Sequence, residues 1–303
     1  MNYINYGYNT RLGNWFFQVA FARLLGSAPI AFYVRPEISF KRLEAFHELW
    51  PDVTFTHELP KNVLHFKESE LIANDFRLPE QRDNLLLDGY FQFPELFDRQ
   101  ALCRDFACPP RIRKIIDEKF GSLLKEPLLV GVSVRRGDYL TLPHQHPFVG
   151  KRYLRAAVEK FDASALYVVC SDDIPWCRTF FTEKNFPGRR FAFVEGEEVL
   201  TQLYIHTFCH HNILSNSTFS WWGAYFNVHD NRRVIFPSMW NGIQNREDKT
   251  YLYLEDAEII ENHYTPGMYF KAEALCMKRR LGDFLRGLGL WGRNDGKVPT
   301  NYR

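Results

Sequence analysis

Short apolar runs alternate with amphipathic stretches from residue 126 to residue 236. The apolar runs predict strands and the amphipathic stretches predict the helices between them. The predicted strands are 128–134, 165–170, 191–194, 212–215 and 233–236, and the predicted helices include 151–161 and 199–209. A further helix is predicted after Ser171-Asp172-Asp173, because the aspartates are N-cap candidates and Pro175 suits a first turn. This alternation is typical of βαβ units and predicts a parallel, doubly wound sheet.

The first 125 residues show the same alternation with weaker signals. Strands are predicted at 3–6, 30–34 and 85–90, and helices at 14–25 and 112–124. A charged break and a proline at Lys125-Glu126-Pro127, preceded by Gly121, mark a boundary between lobes. The predicted domains are an N-terminal lobe (1–125), a C-terminal lobe (126–265) and a helical tail (266–303). The predicted fold class is therefore α/β, with two Rossmann-like lobes and a cleft between them.

The composition fits a protein with a full hydrophobic core and excludes some functions. Of 303 residues, 46% are hydrophobic and 24% are charged, which is ordinary for a globular protein. A net charge of +2 is too small for the positive footprint of a nucleic-acid-binding protein. The start of the chain lacks the pattern of a signal peptide, and no apolar run reaches about 18 residues. We therefore expect a cytoplasmic location.

The cysteines and histidines do not predict a metal centre. Six cysteines occur without paired C-x-x-C spacing, which indicates reduced thiols rather than disulfides or a zinc ribbon. The group His206, Cys209, His210 and His211 has metal-binding side chains, but no second ligand cluster in the sequence completes a tetrahedral site. We interpret these residues as partly buried residues at the end of an apolar helix.

The tail is predicted to form a basic amphipathic helix. Residues 277–293 contain five basic side chains interspersed with leucine, phenylalanine and tryptophan. Two placements fit this pattern. The helix packs on the body of the protein, or it rests on an anionic membrane surface as a peripheral contact.

Two adjacent arginines follow the first strand of the C-terminal lobe. In an open parallel sheet, ligands bind beyond the carboxyl ends of the strands. Arg135 and Arg136 occupy that position, and planar guanidinium groups followed by Gly137 suit a diphosphate. One alternative is that the arginines are merely solvated. Another is that Arg136-Gly137-Asp138 is an RGD adhesion signal, which a chain without a secretion signal disfavours.

Two further segments of this lobe follow strands and carry polar groups. One carboxylate of the pair Asp172 and Asp173 is expected to accept the N–H donors of guanine, while the other caps a helix. The hydroxyl-rich turn 216–224 opens a helix, where free N–H groups favour phosphate and ribose. In the N-terminal lobe, Arg11-Leu12-Gly13-Asn14 is expected at another helix N-terminus that faces the cleft. The binding candidates in these segments are Gly13, Asn14, Asp172, Asp173, Asn216, Ser217, Thr218 and Ser220.

Taken in order, these segments resemble glycosyltransferase family 11, the α-1,2-fucosyltransferases, and especially its bacterial members. The family's G-G-L-G-N-Q corresponds to residues 10–15, and its G-Y-F-Q corresponds to residues 89–92. Its H-x-R-R-G-D-Y corresponds to 133–139, its S-D-D to 171–173, and its N-S-T-F-S-W-W-G to 216–223. The resemblance implies a GT-B-like fold and an inverting transfer of L-fucose from GDP-fucose to O2 of a galactoside. It also implies a role in glycan or surface polysaccharide synthesis and no requirement for a cofactor or metal.

The resemblance also assigns roles to individual residues. Arg135 and Arg136 would bind the β-phosphate, and Asp173 would bind the guanine. The phosphates or the ribose would be bound by Ser217, Thr218 and Ser220, and the fucose would be bordered by Gly13 and Asn14.

Two positions depart from the family pattern. Ser133 replaces the family histidine. The contact that the imidazole makes with the donor substrate is therefore either lost, made by the serine hydroxyl, or supplied by another residue. Arg11 and Trp15 replace a glycine and a glutamine, which changes the expected shape of the fucose and acceptor pocket.

The proposed chemistry needs stabilised charge and a proton acceptor. Two arginines and a helix N-terminus can stabilise the charge that develops on a departing GDP without a metal. The candidates for the base are Asp138, His144 and His146, although Asp138 could instead orient a guanidinium. The alternatives to fucosyl transfer are another GDP-sugar transferase with a different acceptor or linkage, and a non-catalytic carbohydrate-binding or adhesion protein.

Overall fold

Two parallel sheets organise the protein. The structure is a computed structural model that describes residues 1–6, 11–26, 28–36, 47–244 and 250–287. The first sheet contains β1 (Asn2–Asn5), β2 (Ile30–Tyr33), β3 (Val53–Thr56), β4 (Leu64–Lys67) and β5 (Leu85–Asp88). The second contains β6 (Leu129–Val134), β7 (Leu166–Ser171), β8 (Arg190–Val194), β9 (His211–Ile213), β10 (Val234–Pro237) and β11 (Ala257–Ile260).

Helices connect the strands of both sheets. The helices of the first lobe are α1 (Leu12–Leu24), α2 (Glu68–Ala73), α3 (Arg99–Asp105) and α4 (Pro110–Phe120). The second lobe contains α5 (Lys151–Glu159), α6 (Ile174–Phe180), α7 (Val199–Phe208) and α8 (Thr218–Tyr225), and α9 (Pro266–Gly287) follows β11. The predicted fold class, two α/β lobes with a helical tail, is confirmed. The tail helix begins earlier than predicted, and residues 288–293 of the prediction lie outside the described residues.

The order of the strands determines where a ligand can bind. The second sheet has the order β8-β7-β6-β9-β10-β11, so the chain reverses direction across the sheet between β6 and β9. The first sheet has the order β3-β2-β1-β5-β4 and reverses between β1 and β5. All pairs are parallel, as between Val130 of β6 and His211 of β9. In such sheets ligands bind at the carboxyl ends of the strands that flank the reversal, because the adjacent loops diverge there and leave a crevice.

Some boundaries differ from the prediction for local reasons. The strand predicted to reach residue 90 ends at Asp88, because Gly89 has φ +155° and lies against Glu68. The short strands β3, β4 and β11 were not predicted. In β4 three of four residues are exposed, so its sequence LHFK lacks the apolar run of a buried strand. By contrast, all six residues of β6 are buried, as a continuous apolar run predicts.

The largest hydrophobic core spans both lobes, and a second core lies within the C-terminal lobe. Helices α1 and α8 pack against each other, and the ring of Phe17 lies 4.8 Å from Trp221 and 4.6 Å from Trp222. Both tryptophans are fully buried, and the indole N–H of Trp222 donates to the carbonyl oxygen of Gly13 at 2.7 Å. These contacts fix the N-termini of α1 and α8 relative to each other.

Candidate active site

The candidate site lies where the two strand-order reversals face each other. In the N-terminal lobe, the ends of β1 and β5 lead into Asn14 and Gln92. In the C-terminal lobe, the end of β9 leads into Thr218 at the start of α8. The amide oxygen of Asn14 accepts a hydrogen bond from Thr218 Oγ1 at 3.0 Å and another from Gln92 Nε2 at 3.1 Å. Three of the predicted segments therefore meet at a single amide.

Gly13 allows this close approach of the lobes. A Cβ atom at this position would lie 2.4 Å from Thr218 Oγ1 and 2.6 Å from the backbone nitrogen of Phe219. No L side chain fits that space without moving a helix. The structure therefore gives Gly13 a packing role, and its predicted position beside a sugar stays a prediction.

Arg135 lies at the end of β6 and is held by two carboxylates. Its Nη1 atom is 2.8 Å from Asp172 Oδ2, and its Nη2 atom is 2.8 Å from Asp138 Oδ1. A quarter of the side chain remains exposed, at 25%. Since a guanidinium has five N–H donors, three remain for another anion. Arg135 is thus oriented at the sheet edge rather than freely solvated.

Arg136 points in a different direction. Its Nε atom donates to Asp173 Oδ2 at 3.0 Å, and its guanidinium lies 3.8 Å above the ring of Trp176 and 5.5 Å from that of Phe148. The stacking and the ion pair leave 12% of the side chain exposed. Arg136 is therefore anchored at the start of α6, and its predicted phosphate contact stays a prediction. The contribution of Trp176 was missed, because no sequence pattern linked it to the arginine.

The two adjacent aspartates have separate structural roles. Asp173 is the N-cap of α6, where Oδ1 accepts from the backbone N–H of Trp176 at 3.2 Å. Asp172 Oδ1 accepts from the backbone N–H of Arg136 at 2.8 Å. A Cβ at Gly137 would lie 2.5 Å from Asp172 Oδ2, so a side chain there would displace this carboxylate from its present contacts. The cap expected for one of the two is therefore Asp173, while the guanine contact stays a prediction.

Asp138 connects the two lobes. Its Oδ1 atom pairs with Arg135, and its Oδ2 atom is 2.9 Å from Nη2 of Arg11 in the N-terminal lobe. Both carboxylate oxygens are thus paired with guanidinium groups. This is the alternative role considered from the sequence, in which Asp138 orients a guanidinium. This arrangement disfavours Asp138 as a base, because protonation would weaken two ion pairs. The sequence predicted that the segment of Arg11 faces the cleft but gave Arg11 no partner, so its contact with Asp138 across the lobes was missed.

The two histidines proposed as bases follow Asp138 in the chain, and only His146 is near its carboxylate among the described contacts. The ring of His146 stacks on Tyr139 at 4.8 Å. Burial lowers the pKa of His146, and the neighbouring Asp138 carboxylate partly opposes this effect. Burial also lowers the pKa of His144, which is 6% exposed. The lowered pKa favours the neutral ring of His146, which can accept a proton, and its side chain is partly exposed whereas that of His144 is buried.

The polar residues around the start of α8 divide into two groups. Ser217 and Thr218 are partly exposed, and the first N–H groups of α8 have no acceptor within the helix. Asn216 and Ser220 are buried; Asn216 Nδ2 donates to Trp240 O, and Ser220 Oγ donates to Ser217 O. Ser217 and Thr218 can therefore meet an anion, whereas Asn216 and Ser220 support the turn from behind.

Ser133, the position of the family histidine, is buried. Its hydroxyl lies 3.4 Å from that of Ser215, which lies 3.4 Å from that of Ser220. These hydroxyls connect the ends of β6 and β9 behind the candidate site. Ser133 thus belongs to a network of serine hydroxyls, and its predicted contact with the donor substrate stays a prediction.

The histidine and cysteine group on α7 lies in the core. His206 is fully buried with no hydrogen-bond partner for either ring nitrogen, and Cys209 is also fully buried. Burial lowers the pKa of His206 to about 4. Among the described residues, no group of three or more histidine, cysteine or acidic side chains is arranged to hold a metal ion.

Comparison with known proteins identifies the family. The family model "Glycosyl transferase family 11" matches residues 54–256, which is more than half of the chain. The chain belongs to glycosyltransferase family 11. The family predicted from the motifs is therefore confirmed, although residues 10–15 lie outside the matched range.

Several related proteins have names that describe a glycosyl transfer. The chain is 32% identical over 211 residues to the O-antigen biosynthesis glycosyltransferase WbnK of Escherichia coli, covering 66% of this chain and 65% of WbnK. It is 31% identical to an alpha-1,2-colitosyltransferase of E. coli, covering 37% of this chain and 40% of that protein. It is 30% identical to human galactoside alpha-(1,2)-fucosyltransferase 1, covering 42% of this chain and 38% of the human protein. These matches span less than two thirds of the length of each relative.

Solved structures that match this chain at low similarity include fucosyltransferases. Fucosyltransferase NodZ from Bradyrhizobium matches with a TM-score of 0.48 and 14% identity, covering 73% of this chain and 91% of NodZ. POFUT1 in complex with GDP-fucose matches with a TM-score of 0.44 and 13% identity, covering 78% of this chain and 97% of POFUT1. The fold of this family 11 protein is established by its own strand order and register.

The RGD tripeptide of this family 11 member is part of the candidate site. Arg136 is paired with Asp173, and Asp138 is paired with two arginines. Each of the two charged side chains is 12% exposed. An adhesion receptor would need both charges at the surface, so the structure disfavours the adhesion alternative.

Proposed function

We propose that this family 11 protein transfers L-fucose from GDP-fucose to O2 of a galactoside, with inversion, during glycan or surface polysaccharide synthesis. The family and the names of its relatives support this proposal. The structural observation that supports it best is the position of Arg135, which presents unused donors at the strand-order reversal of the C-terminal lobe. A diphosphate at that position would lie beside the N-terminus of α8.

The site offers the groups that a direct displacement requires. The acceptor hydroxyl oxygen attacks the anomeric carbon of fucose while the bond to the β-phosphate oxygen breaks. Charge then increases on GDP, where Arg135 and the first N–H groups of α8 stabilise it. The proton of the acceptor hydroxyl passes to His146, whose neutral ring follows from its lowered pKa.

The charges around Arg135 are balanced before a donor binds. Three guanidinium groups and three carboxylates form one chain of contacts. Asp138 links Arg11 to Arg135, and Asp172 links Arg135 to the backbone of Arg136. The side chain of Arg136 is in turn paired with Asp173. Arg11 is 55% exposed and lies on the opposite lobe. It is therefore the guanidinium with the most freedom to turn toward a diphosphate in the cleft.

A second candidate donor is GDP-colitose. An alpha-1,2-colitosyltransferase is among the relatives. As a chemical structure, colitose is fucose without one ring hydroxyl. A site that hydrogen-bonds this hydroxyl would reject colitose by roughly 10⁴-fold, whereas a site that leaves it unbound would discriminate weakly. Comparing kcat/KM for the two donors separates these candidates.

The direct test is incubation of the full chain with GDP-fucose and a panel of galactosides, followed by linkage analysis. We expect an α-1,2-fucosylated product and undiminished activity in EDTA. A different linkage, a preference for GDP-mannose or a strict need for Mg²⁺ or Mn²⁺ would contradict the proposal. Binding of sugars without affinity for GDP would instead support a non-catalytic carbohydrate-binding protein.

A further inference from the structure

Helix α9 has one face that packs on the protein. Met268, Ala272 and Cys276 are buried on this face. Beside it, Lys271 Nζ donates to the carbonyl oxygen of Leu140 at 2.7 Å, so the helix lies next to the segment that carries Asp138. The orientation of α9 about its own axis is therefore fixed by its contacts with the C-terminal lobe.

The opposite face of α9 carries large apolar side chains that are exposed. They are Phe270 at 72%, Met277 at 61%, Leu281 at 56% and Phe284 at 63% exposure, and we call them the α9 stripe. At about 100° per residue, these four positions fall within an arc of roughly 60° on the far side of the helix from the packed face. Exposed phenylalanine and leucine in one continuous line are unusual on a protein surface, which indicates an interaction site.

Basic residues border the α9 stripe. Lys271 and Lys278 lie along one side, while Arg280 lies on the other side together with Glu273. The helix sequence contains five basic and two acidic residues, so it is positive although the whole chain is nearly neutral. Long basic side chains beside an apolar stripe suit the boundary between lipid headgroups and acyl chains, where the apolar side chains insert and the charges meet anionic headgroups.

We propose that the α9 stripe docks this protein on an anionic membrane surface, with the helix lying in the plane of the interface. Peripheral binding to the membrane surface fits α9, since among the described residues no helix has the length and apolarity needed to cross a bilayer. Docking would place the loop of Asp138, and with it the candidate site, beside the membrane. The proposal rests on α9 alone and does not depend on which sugar the site transfers.

Vesicle flotation of the full chain tests this proposal. We expect the protein to float with vesicles of phosphatidylglycerol and phosphatidylcholine, and to bind vesicles of phosphatidylcholine alone much more weakly. The double variant Phe270→Ser/Phe284→Ser should lose flotation. The variant Lys278→Ala/Arg280→Ala should bind anionic vesicles roughly 30-fold more weakly, because each basic residue contributes about fivefold.

A matched control replaces exposed apolar residues elsewhere. The variant Ile72→Ser/Val228→Ser changes side chains that are 52% and 61% exposed but lie outside α9, and it should float like the wild type. Unchanged melting temperatures of all variants would show that they are folded. Absence of wild-type flotation, or equal flotation of the Phe270→Ser/Phe284→Ser variant, would overturn the proposal. The protein could instead form a dimer that this variant dissociates, with no vesicle binding. That result would show that the stripe contacts a second copy of the chain, and it would also overturn the proposal.

Discussion

Arg135 is the single residue on which the proposed chemistry depends most. Asp138 and Asp172 hold its guanidinium at the end of β6, so its remaining donors have a fixed direction. We expect Arg135→Ala to lower kcat for fucosyl transfer by about 10²–10³, the effect of removing one contact that stabilises transition-state charge. Arg178→Ala is a suitable control, because Arg178 pairs with Glu195 on an exposed surface. Near-normal turnover of Arg135→Ala would contradict its role.

The base can be tested at the residue scale through the pH dependence of activity. A base must be deprotonated, and burial lowers the pKa of His146 below its ordinary value of 6.5. We therefore expect kcat/KM to stay high through pH 6.5 and to fall only below it. His146→Asn should reduce kcat and remove this acidic limb, while His263→Asn, which changes an exposed histidine, should leave the profile unchanged. An acidic limb that persists in His146→Asn would exclude His146 as the base.

His206 links pH to stability instead of activity. Its pKa is about 4 in the folded protein and about 6.5 in the unfolded chain, so the unfolded chain takes up the proton first as pH falls. The free energy of unfolding should therefore decrease between pH 6.5 and pH 4, by about 3 kcal/mol from this residue. Urea unfolding at pH 7 and pH 4.5 measures the change. His206→Leu should show a smaller decrease than the wild type, and an equal decrease would contradict this account.

At the scale of elements, local sequence predicted the central strands and missed three short strands at the sheet edges, which are β3, β4 and β11. The run 128–134 reads as a buried strand because both faces of β6 are covered. The sequence VTFT of β3 alternates apolar and polar residues over four positions, which is too short for a reliable period. The segments that carry Arg135, Asp173 and Thr218 were placed correctly at strand ends and helix starts, since their order along the chain follows the βαβ alternation.

The contact of α1 with α8 gives a prediction at this scale. In Gly13→Ala the added Cβ would overlap Thr218, so the two helices must move apart. We expect a loss of about 1–3 kcal/mol in the free energy of unfolding, and lower activity because Asn14 and Thr218 separate. Gly267→Ala is the matched control, as no atom lies within 4 Å of a Cβ there. Equal stability of both variants in urea unfolding would contradict the tight packing at Gly13.

At the scale of the whole molecule, the candidate site is produced by contacts between distant parts of the chain. Arg11 and Asp138 are 127 positions apart and meet across the lobes. Thr218 and Asn14 are 204 positions apart and also meet across the lobes. Sequence patterns with periods of two or 3.6 residues carry no information about such pairs. The residue types of the site were therefore predictable, whereas their division into phosphate-facing, capping and lobe-bridging roles was not.

The most direct test of the central claim is calorimetric titration of the full chain with GDP and with GMP. If Arg135 binds the diphosphate, GDP should bind at least about tenfold more tightly than GMP, since one charge-assisted hydrogen bond contributes about 1.5–3 kcal/mol. Arg135→Ala should lose most of this preference while it still binds GMP, and Arg178→Ala should retain it. Equal affinity of the wild type for GDP and GMP, or an unchanged preference in Arg135→Ala, would contradict the account.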